Sequence, residues 1–264
     1  MHPNQLAETL STTPNNLDRR AALRKAGQAG WRMLLASLPL AAGAGCAGVG
    51  KIVAKDPQAA ADVLNFALFL ERRESEFYKL ALEAPGLIPA SDRAVFEQIG
   101  RNETRHVVFL TTGITGIGGT PDTSTEFDHT AHGRFPDVFT NYHTFLIVAQ
   151  TSEETGVRAY KGQAPNLMQS PTLLTAALRI HSSEGRHVAE IRRIRGLKGW
   201  ITESESNGAI PATYAGESNV VHNGVDMPSV SKISHRALTE AFDEPLTRAQ
   251  VMAIVAPFVR KPKA

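Results

Sequence analysis

A pattern of glutamate, tyrosine and histidine residues occurs twice along the chain with nearly equal spacing. The first copy consists of Glu71, Tyr78, Glu103 and His106. The second copy consists of Glu153, Tyr160, Glu184 and His187. In each copy the tyrosine follows the first glutamate by seven residues, and a Glu-x-x-His motif begins 32 or 31 residues after that glutamate. Four carboxylates and two imidazoles form a complete ligand set for two metal ions.

The helical period explains how each motif could supply one site. Residues three apart lie on the same face of a helix, so Glu103 and His106 can offer an oxygen and a nitrogen to one ion. All four glutamates also fall on the apolar stripes of their segments, where a carboxylate without a partner is strongly unfavourable. Two divalent ions would balance four carboxylates while the imidazoles stay neutral. We therefore predict that the six residues bind two metal ions.

Neighbouring acidic residues leave the choice of ligand open at two positions. Glu74 lies one turn after Glu71, and Glu154 is adjacent to Glu153. Because Tyr78 and Tyr160 each follow the first glutamate of their own copy by seven residues, we expect each tyrosine to point back to that glutamate. This interpretation places Glu74 near the ligands or at the surface, and Glu154 in solvent.

The remaining histidines and the phenylalanines have simpler interpretations. We expect His129 and His132 to be exposed and His143 to be peripheral. His181 precedes Glu184 by three residues and either hydrogen-bonds a ligand carboxylate or only packs. We assign the core to seven phenylalanines, Phe66, Phe69, Phe77, Phe96, Phe109, Phe139 and Phe145.

Four long amphipathic segments must position the ligands, which predicts an all-α four-helix bundle over residues 62–196. Asp56-Pro57 is a helix-start signal in a linker that spans residues 47–61. The first helix runs to about Glu83, the second runs from Ser91 or Asp92 towards Gly113, and the last two cover about 138–161 and 171–195. The stretch from Gly113 to about Asp137 is a long crossover between helices two and three. We expect residues 197–264 to form an extension packed on the bundle, with extended coil to about Ile233 and short helices at about 234–242 and 247–259.

Residues 62–196 resemble the ferritin-like superfamily of diiron-carboxylate proteins. The closest resemblance is to the ferritin-like domain family often called desiccation-related proteins. Two segments carry it, the run from Leu64 to Tyr78 and the run Glu240-Ala241-Phe242-Asp243-Glu244-Pro245-Leu246. The resemblance implies the bundle fold and the metal ligands, and it indicates activity only weakly.

The function expected from this pattern is a dinuclear non-haem metal centre, with iron favoured over manganese. Glu103 and Glu184 would bridge the ions, Glu71 and Glu153 would bind terminally, and His106 and His187 would complete one ion each. O2 or peroxide would be the substrate, with Tyr78 and Tyr160 tuning ligands or supplying an electron. The alternatives are a dimanganese catalase-like enzyme and a non-catalytic protein that protects against stress or desiccation. The sequence leaves assembly into a homo-oligomer open.

Residues 1–46 have the features of an export signal. Arg19-Arg20 precede a moderately apolar run from Met33 to Val49, which resembles a twin-arginine (Tat) signal and predicts a periplasmic or otherwise exported protein that meets the Tat machinery. An N-terminal amphipathic helix that stays attached is the alternative. Cys46, the only cysteine, follows Gly43-Ala44-Gly45, so a lipid anchor at Cys46 is a further alternative, although Gly43 stands where leucine is expected.

The composition excludes two classes of site. The formal charge is +2, but residues 1–46 hold five Lys or Arg against two acidic residues, so the rest of the chain sums to −1. The basic balance therefore comes from the leader and does not indicate nucleic-acid binding. A single cysteine excludes a Cys-based metal site and an attached rubredoxin-type relay.

Overall fold

The computed structural model describes residues 56–260. Four long helices dominate it: α1 (Pro57–Glu83), α2 (Ala90–Gly116), α3 (Tyr142–Gln163) and α4 (Pro171–Ile194). The shorter elements are β1 (Val221–His222), β2 (Val225–Asp226), α5 (Met227–Val230), α6 (His235–Thr239) and α7 (Arg248–Val255), with 3-10 turns at Ala164–Leu167, Pro211–Tyr214 and Ala256–Phe258. The architecture is the predicted all-α bundle.

Local signals explain where most of the helices begin. Asp56 caps α1 by accepting a hydrogen bond from the Ala59 amide, and Pro57 occupies the first helical position. Residues 57–61, which we assigned to the linker, therefore belong to the first helix. Helix α3 begins at Tyr142 rather than near residue 138, because the Asn141 side chain accepts hydrogen bonds from the amides of His143 and Thr144.

The long crossover lies between α2 and α3, as predicted, and it is fastened to α1. Asn65 donates to the Thr120 carbonyl and accepts from the Asp122 amide. Arg72 donates to the Thr125 carbonyl. Since α1 pairs with α2 and α3 with α4, this connection joins two antiparallel helix pairs.

Two apolar clusters fill the bundle on either side of the middle of the helices. One is rich in aromatic residues and includes Phe77, Phe96 and Phe145. The other is largely aliphatic and includes Leu68 and Leu110. Along α2 and α4, Glu103 and Glu184 lie between residues of the two clusters. Six of the seven phenylalanines that we assigned to the core belong to the aromatic cluster or pack against it. Phe109 is 43 % exposed, so its assignment to the core was wrong.

The C-terminal extension covers the outer face of α3. Arg158 of α3 donates to the carbonyls of Thr213, Ala215 and Glu244, and its guanidinium pairs with Glu217 at 2.8 Å. The segment that we predicted to be extended coil also contains the β1–β2 hairpin and the single turn α5. Because the extension covers the outer face of α3 and the bundle covers the inner face, every residue from Val148 to Tyr160 is buried. Within residues 56–260, no helix combines the length and the apolar character needed to span a membrane.

Candidate metal centre

Each of the four long helices contributes one completely buried carboxylate to a single cluster. These are Glu71 on α1, Glu103 on α2, Glu153 on α3 and Glu184 on α4. His106 and His187 lie one turn beyond Glu103 and Glu184, and their rings stack with centroids 6.2 Å apart. The structure therefore brings together all six residues that the repeat singled out.

The two histidines face the carboxylates in the same way. The Nδ1 atom of His106 lies 3.1 Å from Glu71 Oε2, 3.3 Å from Glu103 Oε2 and 3.2 Å from Glu184 Oε1. The Nδ1 atom of His187 lies 2.9 Å from Glu103 Oε1, 3.1 Å from Glu153 Oε2 and 3.6 Å from Glu184 Oε2. Each nitrogen thus has three oxygens around it, from three different glutamates.

Glu103 and Glu184 are shared between the two groups of donor atoms. Each turns one oxygen towards His106 and the other towards His187, whereas Glu71 and Glu153 each face one histidine. Two carboxylates are thus common to both groups, and two belong to one group each. The donor atoms of each group lie within 4.8 Å of one another.

The hydrogen-bonding capacity of the cluster is not satisfied by protein groups alone. An Nδ1 atom carries at most one proton, so it cannot donate to three oxygens. Glu103 Oε1 and both oxygens of Glu184 are buried without a hydrogen-bond donor. Ligands about 2.1 Å from a cation lie roughly 3.0–3.4 Å from each other, which matches most of the separations here. The donor set therefore fits a metal ion beside each histidine.

The electrostatics of the metal-free cluster point the same way. Burial and the neighbouring carboxylates of Glu184, Glu71 and Glu153 raise the pKa of Glu103 well above its usual range. Burial and Glu71 raise the pKa of Glu184 to about 7. Burial lowers the pKa of His106, but the adjacent carboxylates of Glu103, Glu184 and Glu71 favour the protonated ring and raise this pKa to about 12. Crowded carboxylates hold protons in this way when no other cation is present.

The two tyrosines serve the opposite copies of the repeat. The Tyr78 hydroxyl donates to Glu153 Oε1 and the Tyr160 hydroxyl donates to Glu71 Oε1, each at 2.5 Å. The prediction that each tyrosine points back along its own helix was wrong, because the tyrosine ring projects across the bundle to the facing helix. Each terminal glutamate is therefore fixed by one histidine and by a tyrosine from the other half of the chain.

Glu74 and Arg73 form a buried pair beside the cluster. Their side chains approach to 3.4 Å, and Arg73 also donates to the Ser152 hydroxyl at 2.9 Å. Gly156 of α3 faces both carboxylates, since a Cβ atom there would lie 3.6 Å from Glu74 Oε1 and 3.9 Å from Glu184 Oε2. The sequence placed Glu74 near the ligands or at the surface, and it gave no signal for burial of Arg73.

Glu154 is buried rather than in solvent. It accepts from Arg192 of α4 and from Gln150, which also donates to the Tyr214 hydroxyl. The prediction failed because the extension, which carries Tyr214, covers a face of α3 that would be exposed in an isolated four-helix bundle.

His129 differs from its predicted exposed position, and His181 takes the second of its two predicted roles, which is packing. His129 is buried and its Nε2 lies 3.3 Å from Glu76 Oε1, and burial lowers its pKa to about 3. Among the described residues, no hydrogen bond joins His181 to a ligand carboxylate. Asn102, by contrast, lies 3.0 Å from His187 Nε2 and holds the ring that faces the cluster.

The comparison with known families agrees with this geometry. The family model described as a ferritin-like domain matches residues 59–197, which include all four long helices apart from the first two residues of α1. No curated protein sequence is significantly similar to the chain. With the bundle, the crossover and the carboxylate cluster in place, the matched region identifies the chain as a member of the ferritin-like domain family.

Proposed function

We propose that this protein holds two iron ions in the carboxylate cluster and reacts with O2 or peroxide, in iron oxidation and protection against oxidative stress. The observation that carries the proposal is the sharing of Glu103 and Glu184 between two histidine-centred groups of donor atoms. Mixed carboxylate and imidazole ligands suit ferrous ions, which when bound supply electrons to O2 or peroxide.

The protein residues would hold and orient this centre. Glu71 and His106 complete one group, and Glu153 and His187 complete the other. Tyr78 and Tyr160 keep the terminal carboxylates oriented, because each occupies one oxygen and leaves the other free to face a histidine. Arg73 balances the charge of Glu74, so the four repeated carboxylates remain to balance two divalent cations.

The apolar clusters on both sides of the carboxylates exclude water. On the side of the carboxylates where Tyr78 lies, three phenylalanines are each less than 2 % exposed, namely Phe77, Phe96 and Phe145. A dry surrounding strengthens the attraction between carboxylates and a cation and limits side reactions. The same arrangement would hold a pair of manganese ions in a catalase-like enzyme, which is the second candidate.

Metal analysis tests the site itself. The purified full chain should contain close to two transition-metal ions per molecule, and Glu103→Ala should reduce both because that carboxylate serves both groups. Glu153→Ala should reduce the occupancy of only one of the two positions, because that carboxylate belongs to one group. Glu190→Ala is the matched control, since Glu190 lies on α4 one turn after His187 with a side chain that is 47 % exposed. Two ions retained in Glu103→Ala would contradict the assignment.

Reaction with peroxide separates the candidate activities. The iron-loaded chain should consume peroxide or O2 once per reduced centre and then require a reductant. A manganese-loaded catalase would release O2 from peroxide repeatedly without added reductant. A metal-loaded protein that does neither would support a structural or protective role.

Export is a separate part of the proposal. We propose that the chain leaves the cytoplasm through the Tat machinery, which transports folded and cofactor-loaded proteins, and that its N-terminal 46 residues serve this step. The signal and Cys46 lie outside the described residues, so the support is the twin arginine and the apolar run in the sequence.

A further inference from the structure

The two tyrosines at the candidate metal centre differ in what surrounds them. Tyr78 contacts Phe96 and Phe145, with ring centroids 6.2 and 6.3 Å away. Tyr160 lies in the aliphatic cluster, and among residues 56–260 no aromatic ring packs against it. The repeat is thus symmetric in its ligands and asymmetric in its aromatic contacts.

The aromatic contacts of Tyr78 continue to a third tyrosine near the surface. Tyr142, the first residue of α3, stacks on Phe145 at 6.0 Å and meets the edge of Phe96 at 6.3 Å. Phe96 and Phe145 are themselves 4.9 Å apart. Four rings in contact therefore connect a hydroxyl bonded to Glu153 with a ring that reaches the surface of the bundle.

Tyr142 also has a proton acceptor. Its hydroxyl donates to Asp92 Oδ2 at 2.7 Å, and both residues are partly exposed. A phenol loses its proton when it loses an electron, so a tyrosine can be oxidised readily only where an acceptor is in place. Tyr142 meets this condition at the outer end of the four rings, where Asp92 is the acceptor. Tyr78 meets it at the inner end, where Glu153 is the acceptor.

We propose that Tyr142 is a redox-active site, the surface end of a one-electron route through Tyr78 to the metal centre; this rests on the proposed function. Oxidised metal takes one electron from Tyr78, whose proton moves to Glu153. Tyr142 then gives one electron to Tyr78, which recovers its proton from Glu153, and the Tyr142 proton moves to Asp92. In net terms the metal gains one electron, Tyr142 becomes a neutral radical and Asp92 becomes protonated. Phe96 and Phe145 do not carry the radical, because a tyrosyl radical cannot oxidise phenylalanine. They fill the space between Tyr78 and Tyr142, across which the electron is transferred.

Trapping of the radical tests this route in the iron-loaded full chain. The ferrous protein is mixed with peroxide and a nitroso spin trap, and mass spectrometry of peptides locates the adduct. We expect an adduct on Tyr142 that is lost in Tyr142→Phe and in Tyr78→Phe, both of which keep the ring. It should persist in Tyr214→Phe, because Tyr214 lies in the C-terminal extension and belongs neither to the four-ring path nor to the carboxylate cluster. A Tyr142 adduct that survives in Tyr78→Phe, or its absence while peroxide is consumed, would overturn the route.

A metal-free experiment keeps the test independent of the proposed function. If the loaded chain does not consume peroxide, the proposed function fails, and the route is then tested from the surface. A photogenerated ruthenium(III) complex oxidises the metal-free full chain from solution, and electron paramagnetic resonance records tyrosyl radicals. Tyr78 is completely buried, so on this route the complex in solution oxidises it only through Tyr142. The Tyr78 signal is identified as the one that is lost in Tyr78→Phe. It should appear in the wild type and vanish in Tyr142→Phe. Absence of that signal in the wild type, or its persistence in Tyr142→Phe, refutes the route.

Discussion

Single side chains in this protein act through partners that come from the other half of the chain. Tyr78 fixes Glu153 and Tyr160 fixes Glu71, so each terminal carboxylate depends on a hydroxyl from the opposite copy of the repeat. Residues that hold a metal ligand in place commonly affect metal affinity by about 10- to 100-fold. If the cluster binds metal as proposed, each tyrosine therefore acts on the position formed with the histidine of the other copy.

We expect Tyr78→Phe to weaken binding at the His187 position and Tyr160→Phe to weaken binding at the His106 position. The test uses chains with one position disabled, His106→Ala or His187→Ala. In the His106→Ala background, Tyr78→Phe should lower affinity by about 10-fold or more, measured by competition with a chelator, and Tyr160→Phe should have the smaller effect. A larger effect of Tyr160→Phe in that background would mean that each tyrosine acts on the glutamate of its own helix.

His129 should make the protein sensitive to acid. Burial, Arg73 and Arg260 lower its pKa to about 3, and the opposing Glu76 carboxylate is 44 % exposed and therefore screened. A depressed pKa means that the unfolded chain takes up a proton below its usual value of 6.5 and the folded chain does not. Stability is thus fully present above pH 6.5 and lost as the pH falls towards 3, by at most about 1.4 kcal/mol per pH unit.

The variant His129→Gln should flatten this acid limb because it cannot titrate. Urea unfolding at a series of pH values measures the slope, and His143→Gln serves as the control because His143 is exposed. An unchanged slope in His129→Gln would show that the buried ring does not resist protonation.

At the level of helices, α3 is the element that the sequence described least well. Periodicity alone specifies which face of a helix is apolar, and it gave the positions of Glu153 and Tyr160 correctly. It does not specify which helix lies opposite, so the partner of each tyrosine could not be predicted. Nor does it show which face of the bundle the predicted extension covers, which is why the burial of Glu154 and its pair with Arg192 were missed. The metal-binding role of the six residues stays a prediction, although the structure brings them together.

Gly162 marks the closest approach between α3 and the extension. A Cβ atom there would collide with the carbonyl oxygen of Leu246, whereas one at Gly113 of α2 would meet nothing within 4 Å. Alanine normally stabilises a helix interior by roughly 0.5–1 kcal/mol relative to glycine. We therefore expect Gly113→Ala to stabilise the protein and Gly162→Ala to destabilise it, by about 1 kcal/mol or more. Thermal unfolding of both variants measures this, and equal shifts would mean that the extension is held loosely.

At the level of the whole molecule, the bundle and its extension together form the described part of the chain. The buried core of the described residues begins at Ala60. The fold class, the crossover and the limits of α4 could be predicted because long periodic segments and Pro or Gly boundaries specify them locally. The hairpin β1–β2 could not, because its strands contain only two residues each.

We predict that a chain beginning at Ala47 folds, binds metal and remains soluble, since the buried core of the described residues begins only at Ala60. Replacement of Arg19 and Arg20 by Lys should retain the full-length protein in the cytoplasm, as cell fractionation would show. Mature protein outside the inner membrane after that change would argue against the Tat route. Loss of helicity in the shortened chain, measured by circular dichroism, would show that the N-terminal segment supports the fold.

The crossed tyrosines also bear on how such a chain could arise. The tyrosine–glutamate contact that each half makes with the other is returned by an equivalent contact, as in a dimer with a two-fold axis, where residue i meets j and j meets i. A two-helix chain with one Glu-x6-Tyr and one Glu-x-x-His motif could therefore bring the same six residues together by pairing with a second copy of itself. In these terms the present chain has the form of two such subunits joined by the crossover. The aromatic path from Tyr78 to Tyr142 breaks this symmetry, because it takes rings from both halves and has no equivalent at Tyr160 among the described residues.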